Sequence, residues 1–172
     1  MDAQIKQQVL EETKDLITRS GFPMSTEELD GLEVNDLGMG NFRREGLIEV
    51  EILRSPKVGV TVLVLLPNQT LPQHAHPSYE GEKGKEETIR VIYGQFKIYI
   101  PGPKNNEKPS IPQGKEKYYT ALHEIVLNVG EQYRLEPNIE HWFQAGPEGA
   151  VTLEFDNTVD QTRNIWYDPA KK

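Results

Sequence analysis

Two hydrophobic periods divide the chain. In the first stretch Ile5, Val9 and Leu16 share one helical face, with Leu10 and Ile17 beside them, so a helix is predicted. Ser20-Gly21-Phe22-Pro23 stops it. Ser25-Thr26-Glu27-Glu28 reads as a capping box opening a second, short helix that includes Leu29. Gly38 and Gly40 in DLGMGNF read as a turn, because no strand precedes them and no helix follows.

From about residue 46 the period becomes two. Ile48, Val50 and Ile52 alternate with charged residues, and residues 58–66 are almost wholly apolar, as in a strand buried on both faces. Ile89, Val91 and Tyr93, then Phe96, Ile98 and Ile100, predict a hairpin about Gly94-Gln95. A Pro/Gly-rich loop follows. Ile125, Leu127 and Val129 predict a strand, then Tyr133 and Leu135, then His141 and Phe143. After a turn at 146–149, Val151, Leu153 and Phe155 predict another. Many short strands with no helix between them predict an all-β sandwich or barrel. The expected organisation is one domain over 1–172, with a helical arm over 1–44 and a β-barrel with its C-terminal strand over 45–172. The arm is expected to pack on the barrel or on a dimer partner.

Composition narrows the function. The net charge of -8, with no basic stripe, argues against nucleic acid as a partner. No apolar run is long enough for a membrane span. Cysteine is absent, which excludes disulfide and thiolate chemistry. With no signal-peptide pattern at the N-terminus, a cytoplasmic location is expected.

The chemistry gathers in QHAHPSYEGEKGKEETIRVIYGQ, residues 73–95, which holds two of the four histidines. Strand neighbours i and i+2 share a face, so His74 and His76 aim into one space. Glu87 is in phase with Ile89, Val91 and Tyr93, whereas Glu86 is not. An inward carboxylate is costly unless paired or metal-bound, so Glu87 is the better ligand. His141, in phase with Phe143, supplies a third imidazole from a distant strand. Such a shell suits Zn, Fe, Ni or Mn. His123 reads as a strand-end histidine outside it.

His74-Ala75-His76, Glu87 with Gly94 seven residues on, Gly130, Pro137 and His141 resemble the cupin superfamily. The resemblance implies a jelly-roll β-barrel with a short N-terminal helical segment. Two features depart from the common motif: ten residues lie between His76 and Glu87, and PNIEH replaces PxGxxH. With these departures, HxHP, the loop over residues 81–88, Arg90-x-x-Tyr93-Gly94 and the run over 140–151 look like the short D-lyxose isomerases. VNDLGMG and YDP extend the similarity over nearly the whole length.

That resemblance implies a metal-dependent aldose–ketose isomerase and a homodimer. It would interconvert D-lyxose with D-xylulose, and D-mannose with D-fructose, through an enediolate. A hydride shift is the mechanistic rival. The expected cofactor is a divalent metal, Mn²⁺ first, with Zn²⁺, Co²⁺, Ni²⁺ or Fe²⁺ as alternatives, held by His74, His76, Glu87 and His141. Glu154, between Leu153 and Phe155, is the expected general base, and Lys85 a donor to a substrate oxygen. Trp142, Tyr93 and Arg163 are expected in the sugar pocket, with Asp168 at its rim. The competing readings are an Fe²⁺ dioxygenase on the same ligands and a non-catalytic sugar-binding cupin.

Overall fold

The computed structural model describes residues 2–107, 109–157 and 163–171. Helix α1, Ala3–Ser20, starts where the Asp2 side chain accepts from the Gln4 amide at 2.8 Å. It ends at Gly21, whose φ of 69° suits a residue without a Cβ. Val9, Leu16 and Ile17 are buried on one face with Thr13, whose hydroxyl returns to the Val9 carbonyl at 2.7 Å. Ile5 does not join them. It remains 46% exposed, because burial begins only at Val9. Helix α2, Thr26–Asp30, carries the expected capping box: Glu28 N donates to Ser25 Oγ at 3.2 Å and Ser25 N to Glu28 Oε2 at 2.7 Å. Neither helix is long and apolar enough to cross a membrane, and no other among the described residues is.

The rest is one curled antiparallel sheet. Its strands are β1 (Glu33–Asn35), β2 (Leu47–Arg54), β3 (Gly59–Leu65), β4 (Thr70–Ala75), β5 (Glu87–Ile100), β6 (His123–Leu127), β7 (Gln132–Leu135), β8 (His141–Asp156) and β9 (Ile165–Trp166). They run in the order β1-β2-β3-β8-β4-β9, while β5 pairs with β6, β7 and β8.

Two layers of apolar side chains flank this sheet. Inside lie Leu47, Leu63, Leu65, Ile89, Val91, Phe96, Ile98 and Phe143. Outside, under α1, lie Ile48, Val50, Val62, Val64 and Val151. β3 therefore is buried on both faces, as its apolar run predicts. In β2 the apolar Ile48 and Val50 belong to the outer cluster with residues of α1 and α2, so Leu47 and Glu49 face the interior.

The expected hairpin at Gly94-Gln95 is instead the middle of one 14-residue strand, β5. Gly94 has φ 72° and leaves no room for a Cβ against the Gly149 carbonyl, so it permits a bulge and a close crossing. Pairing jumps here from Gly94↔Ala150 to Phe96↔Ala145. Residues 146–149 thus bulge within the 16-residue β8 rather than separating two strands. Bulges and turns use the same residues, and alternation alone does not distinguish them.

Candidate metal centre and sugar cavity

β4 persists through Pro72, although its register with β8 slips between Leu71 and His74, where proline has no N–H to offer. Beyond the slip, His74 sits directly opposite His141 on β8 and Trp166 on β9. Strand alternation puts His76 on the same side, its ring centroid 4.9 Å from that of His74. Glu87 opens β5 and is 1% exposed.

The ligand atoms of the three histidines lie within 4.8 Å of one another. Each ring spends its Nδ1 on an oxygen: His74 on the Pro72 carbonyl at 2.8 Å, His141 on the Ile139 carbonyl at 2.9 Å, His76 on Asn164 Oδ1 at 2.7 Å. Carbonyl oxygens only accept, so Nδ1 carries the hydrogen and a neutral ring presents a bare Nε2. His141 Nε2 lies 2.9 Å and His76 Nε2 3.6 Å from Glu87 Oε1, yet none of these three buried atoms has a hydrogen-bond partner among the described residues. Lone pairs converge there with no proton between them. Burial, then the charge of the neighbouring imidazoles, holds the His74 pKa well below its usual value, so protonating that ring is unfavourable. A divalent cation satisfies such a donor set, and the buried histidine cluster could hold one.

Beside it lies a second pairing. Lys85, 5% exposed, reaches Glu87 Oε2 at 3.0 Å and forms a close ion pair with Glu154. Glu154 lies across from Ile89 on β8 and points inward. One ammonium cannot compensate two buried carboxylates equally. Burial is the largest influence and raises both, but at Glu87 the Lys85 charge together with the His141 and His76 side chains outweighs it and holds that carboxyl well below the usual range. At Glu154 burial wins over Lys85, and the Glu87 charge adds to it, so the carboxyl is pushed up to about 7.

A group whose folded pKa exceeds its unfolded value stabilises fully below the unfolded value, and this contribution disappears as pH rises through the folded one. For Glu154 the window is about 4.5 to 7. In EDTA, wild type should therefore lose more stability between pH 5 and pH 8 than Glu154→Gln does, measured by urea unfolding. Equal losses would mean that Glu154 ionises unhindered.

His74, His76, Lys85, Glu87 and Glu154 line one cavity of about 190 Å³, with Glu49, Thr61, Asn164, Trp166 and Lys171. A wider cavity of about 470 Å³ shares His76, Lys85 and Asn164 with it and carries Tyr79 and Arg163. Arg163 pairs with Glu82 at 3.3 Å and lies 5.0 Å from the Tyr79 ring centroid, in this outer space and not in the inner cavity.

Three expectations need correction. Tyr93 is on the outer face, 3.2 Å from an Arg19 donor, because the slip between Val91 and Tyr93 takes it out of phase with Glu87. Trp142 follows His141 and so points away from it. It stacks on Tyr99 at 3.6 Å and donates to the Ala121 carbonyl at 2.7 Å. Neither lines the cavity. Asp168 lines neither cavity: it is buried, 2.9 Å from Lys115. His123 sits at the start of β6 against the Pro103 carbonyl, outside the cluster, as expected.

Sequence reasoning missed Glu49, Asn164 and Trp166. Glu49 was hidden because the alternation along β2 does not say which face is inward. Burial, ahead of the neighbouring charges, raises the pKa of its carboxyl. β9 spans two residues, too short for any period to register.

No family model matches the chain. The D-lyxose/D-mannose isomerase of Thermosediminibacter oceani is 40% identical over 167 residues, 96% of this chain and 92% of that protein. The D-lyxose ketol-isomerase of Cohnella laeviribosi is 40% identical over 90% of this chain and 86% of its own. That of a Thermofilum species is 37% identical over 91% and 88%. Among solved structures, the L-ribose isomerase of Cellulomonas parahominis superposes with a TM-score of 0.78 at 16% identity, covering 99% of this chain and 94% of that one. The L-ribose isomerase of Acinetobacter sp. DL28 superposes with a TM-score of 0.75 at 14% identity, covering 99% and 94%. At those identities the likeness is one of fold, the cupin barrel.

Proposed function

Because the chain belongs to the D-lyxose ketol-isomerase family and is a sugar isomerase, we propose that it interconverts D-lyxose with D-xylulose, and D-mannose with D-fructose, with a divalent cation, Mn²⁺ first, held by His74, His76, Glu87 and His141. One observation carries the reading. Bare, buried nitrogen and oxygen donors converge in the same small cavity as a lysine and a carboxyl of raised pKa. When bound, the cation supplies Lewis acidity toward two neighbouring sugar oxygens.

The chain's own residues do the rest. Glu154, once ionised, takes the proton from C2 of the open-chain sugar and returns it to C1. Lys85, between Glu87 and Glu154, donates to a substrate oxygen and offsets the negative charge that develops as C2 loses its proton. The barrel interior limits water around that proton. With neutral imidazoles, the cluster of Glu87, Glu154 and Lys85 carries a net negative charge, which favours cation entry. We further read the protein as a cytoplasmic homodimer, which light scattering of the purified chain tests.

Protein stripped with EDTA is expected to give no ketose from D-lyxose, D-mannose or any other aldose, and to recover on Mn²⁺ add-back without any need for O₂. No ketose from D-lyxose with Mn²⁺, Co²⁺, Ni²⁺, Zn²⁺ or Fe²⁺ sinks the proposal.

A further inference from the structure

The segment after the undescribed residues 158–162 does more than end the fold. From Asn164 to Asp168 it crosses the open edge of β4 beside the histidines. Ile165 and Trp166 pair with Ala75 and His74, and the Tyr167 amide donates to the Gln73 carbonyl at 3.1 Å. The Trp166 ring stacks on His74 with centroids 4.7 Å apart and planes 24° apart. Asn164 Oδ1 is 2.7 Å from His76 Nδ1. Asp168 anchors the segment: it is 4% exposed and lies 2.9 Å from Lys115, which also holds the buried Glu45 at 2.7 Å. Tyr119 donates to that same Glu45 at 2.7 Å. Three distant stretches of chain thus fix where the strap lies.

His76 differs from the other two imidazoles in one respect. His74 and His141 are oriented by carbonyls two residues before them, so their tautomers follow from local backbone. His76 takes its orienting oxygen from a side chain 88 residues away. We propose that Asn164 is a positioning residue for the metal centre, which accepts from His76 Nδ1–H and thereby keeps Nε2 bare and aimed at the cation. The strap that carries it is built to hold that oxygen in place.

The inference rests on the metal reading above, and its test reads metal binding, not turnover. An outer partner of this kind is commonly worth about 10–100-fold in metal affinity. Mn²⁺ is titrated into EDTA-stripped, desalted protein and free Mn²⁺ is followed by its EPR signal, with melting temperature recorded on the same samples. Asn164→Leu, which keeps the bulk and removes the acceptor, is expected to weaken Mn²⁺ binding about 10–100-fold. Asn164→Asp restores an acceptor and is expected to bind as wild type or tighter. If the leucine variant does not fold, Asn164→Ser, too short to reach His76, is expected to show the same loss. Folded leucine or serine variants that bind Mn²⁺ as wild type does overturn the inference. So does an aspartate variant as weak as leucine, which would mark Asn164 as packing alone. Wild-type protein that binds no Mn²⁺ overturns the metal reading as well, and is told apart by appearing before any substitution is made.

Discussion

Glu154→Gln is expected to lower kcat on D-lyxose by about 10²–10⁴-fold, the usual worth of a positioned general base, while Mn²⁺ binds as before. The two readouts separate because Glu154, the proposed base, lies outside the donor set: its partner is Lys85, and the converging bare atoms are those of His76, His141 and Glu87. Glutamine keeps the volume and one acceptor oxygen but cannot hold the C2 proton. Lys85 retains Glu87 as its counter-ion, so the variant is expected to fold. In D₂O, proton transfer through Glu154 exchanges solvent deuterium into recovered D-lyxose, and this exchange should vanish with turnover. Turnover near the wild-type rate would remove Glu154 from the role. Turnover without solvent exchange in the wild-type protein would favour the hydride shift.

That His74, His76, Glu87 and His141 come together was legible because they obey strand phase. His74 and His76 are two apart, and Glu87 shares the phase of Ile89 and Val91, which do face inward. What was not legible depends on how strands bend and pair. A bulge within β5 takes Tyr93 out of the phase that Glu87 begins, and nothing in the alternation marks it. Gly94 and the glycines at 146 and 149 read as turns because a bulge makes the same demand on the backbone. Glu49 went unnoticed for a different reason. The apolar face of β2 joins the outer cluster with residues of α1 and α2, so the polar face, with Glu49, is the one that lines the cavity. Asn164 could not be found by spacing, since its partner lies 88 residues earlier and the strap has no period.

Lys85→Met tests the electrostatics most directly and is expected to destabilise the metal-free protein by about 3–5 kcal/mol at pH 8, measured by urea unfolding in EDTA. Lys85 is buried between Glu87 and Glu154, and methionine of similar length leaves both carboxylates without a cation. The loss should shrink toward pH 5, where Glu154 can take up its proton, and should shrink again on adding Mn²⁺, which returns a positive partner to Glu87. Activity should not return with stability, because the proposed donor to the substrate is gone. Adding Glu154→Gln to Lys85→Met removes the carboxylate that has no other ion-pair partner among the described residues, so the double variant should be more stable at pH 8 than Lys85→Met alone. The two effects are therefore expected to be far from additive, as for any pair in direct contact. A single variant less than about 1 kcal/mol below wild type, in the range of an exposed ion pair, would mean that water reaches this pair freely. A cavity so wet would not raise the Glu154 pKa, and the base proposed for the isomerisation would lose its physical ground.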